Sequence, residues 1–203
     1  MKTFACLCIL ALVSFGFASG CATPGPKYID LTYTGTSKVS HSGSLGISRF
    51  SDKRPGQDRG SLGHRVLNDN SRQVFLVQGL DLAGTLTNLT QTHLEKKGLT
   101  VTTIPAWSTT LTGMAEADQG TTYLLTADIN AFECKAQKKG AVTTMVLDID
   151  LTLFLGKMDQ KKLTTIPVAL TLERTDVNFT TKKLENFFND ALAEALEKAL
   201  PLD

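Results

Sequence analysis

Three carboxylates offer the first prospect of chemistry. Asp148 and Asp150 stand two residues apart in a stretch that alternates apolar and polar side chains. On a strand they share one face, about 7 Å apart. A hairpin turning at Lys138 would set Asp128 across from Asp148. Three carboxylates gathered this way could hold a hard cation or exchange protons with a substrate. The competing reading is a solvated outer face, where nearby lysines relieve a repulsion of roughly some tenths of a kcal/mol. No aromatic platform accompanies the group, which favours the solvated face.

A second polar segment is Asp52-Lys53-Arg54-Pro55, with Gly63 following. Asp52 can close an Asx turn and Pro55 stiffens it, with Lys53 and Arg54 projecting outward. The segment reads either as a structural turn or as a recognition loop made of Asp52, Lys53, Arg54 and Gly63. Other chemistries lack their residues. His41, His64 and His93 are scattered, and His93 is expected at the surface or boundary of a helix. There is no Cys-x-x-Cys, no Gly-x-Ser-x-Gly and no phosphate-binding loop in a strand–turn–helix context. No catalytic residue, metal site or cofactor is expected.

Cysteine placement says more about address. An apolar run from Phe4 to Phe17 follows the basic start Met1-Lys2-Thr3 and closes on Ala18-Ser19-Gly20-Cys21. This is a secretory signal pattern. A Cys directly after the small residues resembles the bacterial lipobox, with Ala18 where Leu is commoner. The run is roughly 14 residues, short of the roughly 20 that span a bilayer. Cys21 is therefore expected to be acylated, for instance with palmitate, after residues 1–20 are removed. Ala22, rather than Asp, favours the outer membrane. Cys6 and Cys8 leave with the signal, so Cys134 remains as a buried apolar residue or a reactive thiol.

Composition is that of an ordinary domain. Formal net charge is +1, from 21 basic and 20 acidic side chains, so the overall balance makes no electrostatic case for nucleic acid or an anionic surface. About 183 residues remain after processing, enough for one core. Residues 21–43 read as the lipidated Cys and a flexible tether, with a short extended piece conceivable over 28–35. Residues 44–203 read as a single envelope domain.

Strands are predicted near 45–50, around Val66 and Val74, and over 99–104. Asp81 caps a helix with Leu82, Leu86, Leu89 and Leu94 on one face, ending at Gly98. Three alternating strands follow, near 123–131, 145–155 and 166–172, with Pro167 marking the third as an edge. Leu184, Phe187, Phe188, Ala191, Leu192, Ala195, Leu196 and Ala199 make an apolar stripe on a last helix. The expectation is an α+β domain: a mostly antiparallel sheet with two helices on one face.

The segment from Ile47 to Pro55, Leu62-Gly63, and the helix end Leu94-Glu95-Lys96-Lys97-Gly98-Leu99 resemble the YajG-like family of bacterial lipoproteins. The resemblance covers roughly 44–200. It implies an envelope protein without established enzymatic activity and without catalytic residues to transfer. The leading expectation is a non-enzymatic lipoprotein, anchored in the outer membrane and facing the periplasm. It would bind an envelope protein, lipid or glycan, or assist a transport or assembly machine. The alternative is a periplasmic hydrolase using Asp128, Asp148 and Asp150. A third is a homo-oligomeric shell component assembling through the Pro167 edge.

Overall fold

The computed structural model describes residues 24–36, 42–56, 58–79, 81–117 and 120–199. The signal segment, Cys21 and His41 lie outside the described residues. The strands are β1 (Lys27–Ile29), β2 (Ser44–Ser48), β3 (Ser51–Asp52), β4 (Ser61–Val66) and β5 (Arg72–Val77). They continue as β6 (Thr100–Ile104), β7 (Tyr123–Lys139), β8 (Val142–Lys157) and β9 (Lys162–Val177). The helices are α1 (Leu82–Lys96), α2 (Leu111–Glu116) and α3 (Thr181–Ala199).

β7 and β8 form the spine. They pair antiparallel along their full lengths, and β8 pairs antiparallel with β9. The other side of β7 takes three short strands in series, all parallel: β2 at Tyr123–Leu125, β3 at Asp128–Ile129 and β4 at Cys134–Gln137. β6 runs parallel to β2, and β1 parallel to β5. The sheet is thus mixed: its long ladders are antiparallel as expected, and the parallel pairing of the short strands is the part not foreseen. The α+β class stands. β9 has β8 as its one ladder partner among the described residues, so Pro167 does sit on an edge strand.

Alternation explains the core. Leu125, Ala127 and Ile129 of β7 lie over Leu155, Leu153 and Leu151 of β8, all buried. A bulge between Ile129 and Ala131 then shifts the register, so Phe132, Cys134 and Ala136 continue the inner face instead of Ala131. α3 lays its expected stripe on this face, with Phe188 stacked on Phe132 at 5.7 Å between ring centroids. α1 joins the same cluster through Leu82, Leu86, Leu89 and Leu94. It starts as predicted: the Asp81 carboxylate accepts from Gly84 N at 2.9 Å, and Gly98 ends it at φ +97°. α2 packs on the opposite face, where Met114 meets Leu124 and Ile104.

The tether is shorter than expected. Residues 27–36 belong to the fold, with Ile29, Leu31 and Tyr33 buried in the core. Asn189 of α3 straps them down: its Oδ1 accepts from Thr32 N at 2.9 Å, and its Nδ2 donates to Asp30 O at 3.3 Å. Six sequence positions separate Cys21 from the first strand residue, Lys27.

Candidate functional site

The Asp52 loop turns inward. β3 holds Asp52 against β7, and the Asx turn forms, with Arg54 N donating to Asp52 Oδ1 at 3.2 Å. The Arg54 guanidinium does not project outward as expected. It is buried, pairs with the Asp52 carboxylate at 2.8 Å, and donates to the carbonyls of Ser61 at 2.6 Å and Phe132 at 3.2 Å. Ser61 opens β4, and Phe132 lies in β7 between the stretches that take β3 and β4, so a five-donor fork is the residue type that satisfies both carbonyls together. The hydrogen bonds from Arg54 hold the Asp52 carboxyl below its usual range, against the opposing effect of burial. Gly63 is internal too. Its φ is +111°, and a Cβ there would lie 2.1 Å from the Cys134 carbonyl oxygen. Of the four residues assigned to a recognition loop, Lys53 alone faces solvent.

The three aspartates lie on the outer face but do not converge as expected. The β7–β8 turn falls at Gly140–Ala141, beyond Lys138, and Asp128 opposes Thr152. Asp148 opposes Glu133 instead, four residues along the strand from Thr152, or about 13 Å. Asp148, Asp150 and Glu133 each have a local donor or cation. Thr171 Oγ1 donates to Asp148 at 2.8 Å, Asn130 Nδ2 to Asp150 at 3.1 Å, and Lys135 pairs with Glu133 at 3.2 Å. Among the described residues no group of three or more His, Cys, Asp or Glu is placed to hold a metal ion.

Cys134 is fully buried, and burial first, then the Glu133 and Asp148 charges, push its pKa up to about 12. The thiol is packing, not a nucleophile.

One polar cluster escapes the sequence reading. His93 is completely buried, not at a surface or boundary. Its Nδ1 lies 2.7 Å from the Tyr33 hydroxyl, which donates to Glu197 Oε1 at 2.6 Å. With the phenol proton committed to Glu197, Nδ1 carries the proton of a neutral imidazole. Lys97 pairs with Glu197 at 3.4 Å, and Lys96 stands 4.8 Å over the Tyr33 ring. Burial, with the Lys97 and Lys96 charges and against Glu197, lowers the His93 pKa to about 4. The cluster joins the N-terminal segment, α1 and α3 at one point. The sequence held one signal for it: His93 falls four residues after Leu89, in step with the apolar face. Nothing singles out Tyr33, which lay in the expected tether.

A second uncounted feature is Arg65 on β4. Its guanidinium carbon lies 4.0 Å from the Phe179 ring centroid, beside a cavity of about 320 Å³ lined also by Lys138, Asn178 and Thr180.

No family model matches the chain, and no curated protein matches it. Solved structures do resemble it. A Xanthomonas campestris protein of the DUF330 family is 14% identical, with 86% of this chain and 90% of that one covered and a TM-score of 0.46. A neuraminyllactose-binding hemagglutinin homolog from Helicobacter pylori is 9% identical, covering 83% and 89%, at 0.39. Lipoprotein GNA1162 from Neisseria meningitidis is 12% identical, covering 77% and 99%, at 0.33. At these values the likeness transfers no function to this chain.

Proposed function

We propose that the chain is a lipid-anchored, non-enzymatic envelope protein, held at the periplasmic face of the outer membrane through Cys21. It serves there as a binding or transport-auxiliary module for an envelope protein. The observation that carries this reading is the run ending in Ala18-Ser19-Gly20-Cys21. Its short connection to the first strand at Lys27 adds support. No helix among the described residues is long and apolar enough to cross a membrane, a statement that leaves strand-built spans aside. The YajG-like resemblance points the same way, although its residues Asp52, Arg54 and Gly63 act in the fold. The hydrolase alternative is less favoured, because Asp128 opposes Thr152 rather than Asp148.

The test is metabolic labelling with a palmitate analogue, followed by membrane fractionation. The wild-type protein takes up label and sediments with outer membranes, while Cys21→Ser does neither. An unlabelled wild-type protein, or one labelled away from Cys21, would overturn the anchor. Crosslinking in cells then names the partner.

A further inference from the structure

We propose that the end of the domain carrying the β4–β5 and β7–β8 turns is a membrane foot that binds anionic phospholipid headgroups. The proposal rests on the reading of Cys21 as the anchor.

Chain entry sets the orientation. Gln73 Nε2 donates to Gly25 O at 3.2 Å, which fixes the N-terminal segment beside β5. Cys21 is four residues ahead of Gly25, so it reaches no farther than about 14 Å from that point. Acyl chains on Cys21 would hold this end of the domain against the bilayer. The end is one connected surface. Asn68 Nδ2 donates to Gly140 O at 3.4 Å and Gly140 N to Asn68 Oδ1 at 3.1 Å, which joins the two turns. Asn178 N donates to Ala141 O at 3.4 Å, which adds the close of β9.

Charge is the second observation, independent of the first. Segments 24–28, 64–73, 137–143 and 175–183 contain Lys27, Arg65, Arg72, Lys138 and Lys139, with Lys182 and Lys183 at the start of α3. Asp69 and Asp176 are their acidic residues, and Asp176 is already engaged by Lys183 at 3.3 Å and Arg174 at 3.2 Å. Seven basic against two acidic side chains make this end +5 in a chain whose formal net charge is +1, which leaves −4 elsewhere. A protein polarised this way orients its basic end to an anionic surface.

Arg65 supplies a seat for a headgroup. Its Nε is buried and has no hydrogen-bond partner among the described residues, and Phe179 covers its guanidinium face. Burial lowers its pKa, so an anion arriving in the adjacent cavity relieves a cost already present. The fork of Arg65 and the nearby Lys138 suit the oxygens of a phosphodiester. On the other face of the sheet at this same end, Val177 is 57% exposed, Val74 40% and Tyr28 56%, three of the four large exposed hydrophobics described. Apolar and aromatic side chains among lysines suit the bilayer interface.

The experiment has two arms. Unacylated Cys21→Ser protein is sedimented with phosphatidylglycerol-containing vesicles and with pure phosphatidylcholine vesicles. Binding is expected to the first alone and to vanish at high salt. It should weaken about tenfold or more in an Arg72→Glu, Lys138→Glu, Lys139→Glu variant, and not in Lys157→Glu, Lys161→Glu at the opposite end of the spine. Arg65→Gln, with its melting temperature checked, should also weaken it. In the second arm, full-length acylated protein is compared in vesicles and detergent by hydrogen exchange. Vesicles should protect the turns at 67–71 and 139–142. Equal binding to both lipids, equal losses in both charge variants, or protection centred on α2 would overturn the foot. So would crosslinks from Lys139 to an envelope protein in the absence of vesicle binding, which would assign this end to a protein. A missing acyl group on Cys21 sinks the anchor, whereas the first arm still reads the foot, so the two failures separate.

Discussion

Gly63 and Cys134 face each other across the β4–β7 ladder with no room for a methyl group between them. A Cβ on Gly63 would come within 2.1 Å of the Cys134 carbonyl oxygen and 2.8 Å of its backbone nitrogen. Backbone, unlike a side chain, has no rotamer with which to yield. Gly63→Ala is therefore expected to cost more than about 2 kcal/mol, from the clash and from φ +111° together. Gly60→Ala, where a Cβ meets nothing within 4 Å, is the matched control. Urea unfolding of both variants checks this; equal midpoints would contradict the close approach.

Arg54 is expected to matter for folding rather than for binding. Truncation to Ala leaves Asp52 and the Ser61 and Phe132 carbonyls without their donors, at a cost of about 3–5 kcal/mol. Arg54→Lys should recover little, because one ammonium cannot reach the same set. An Arg54→Ala protein of unchanged stability that lost its partner would restore the recognition-loop reading.

His93 gives stability an acid limit. Its pKa is about 4 in the fold against 6.5 for the free side chain. Below about pH 6.5 the unfolded chain takes up a proton that the native state refuses. The stability is thus fully present above 6.5 and drains away between 6.5 and about 4. The loss from this one group is on the order of 3 kcal/mol. Urea midpoints across pH 4 to 7, in wild type and His93→Gln, measure it. The variant should start less stable and show a shallower slope; parallel slopes would refute the assignment.

Cys134 should behave as an inert thiol. In a Cys21→Ser protein without its leader it is the one cysteine left. Its modification by a thiol reagent in native buffer should follow the rate of global unfolding, given full burial and a pKa near 12. Rapid labelling without denaturant would show an opening that the packing does not provide.

Local signals in the sequence set most of the elements. The Asp81 cap, the Gly98 stop and the leucine spacing located α1, and the stripe from Leu184 to Ala199 located α3. Alternation revealed β8, and Pro167 placed β9 at an edge. Partner choice was not legible. A strand such as β2 carries the same alternation whether its neighbour runs parallel or antiparallel, so the mixed sheet stayed hidden. Register was equally silent: the turn at Gly140 and the bulge at Asn130 decide what Asp128 faces, and neither alters hydrophobic period beforehand. Arg54 reads as a surface residue because charge alone cannot reveal the carbonyls of Ser61, Phe132, Asp58 and Arg59 that gather around it. Tyr33 was lost to a neighbouring Ser- and Gly-rich stretch that resembles a linker.

The position of the spine in the chain orders how this protein can be made. β2, β3 and β4 precede β7 in sequence, yet each finds its ladder on it. During synthesis the amino-terminal third emerges first, and within it β4 and β1 can pair only with β5. The ladders of β2, β3 and β4 on the spine wait until β7 follows. Even then the knot between Thr32 and Asn189 closes only as the last helix arrives. A topology closed by such distant pairings folds late in chain order, so its folding rate should be set by these long-range contacts more than by its local elements.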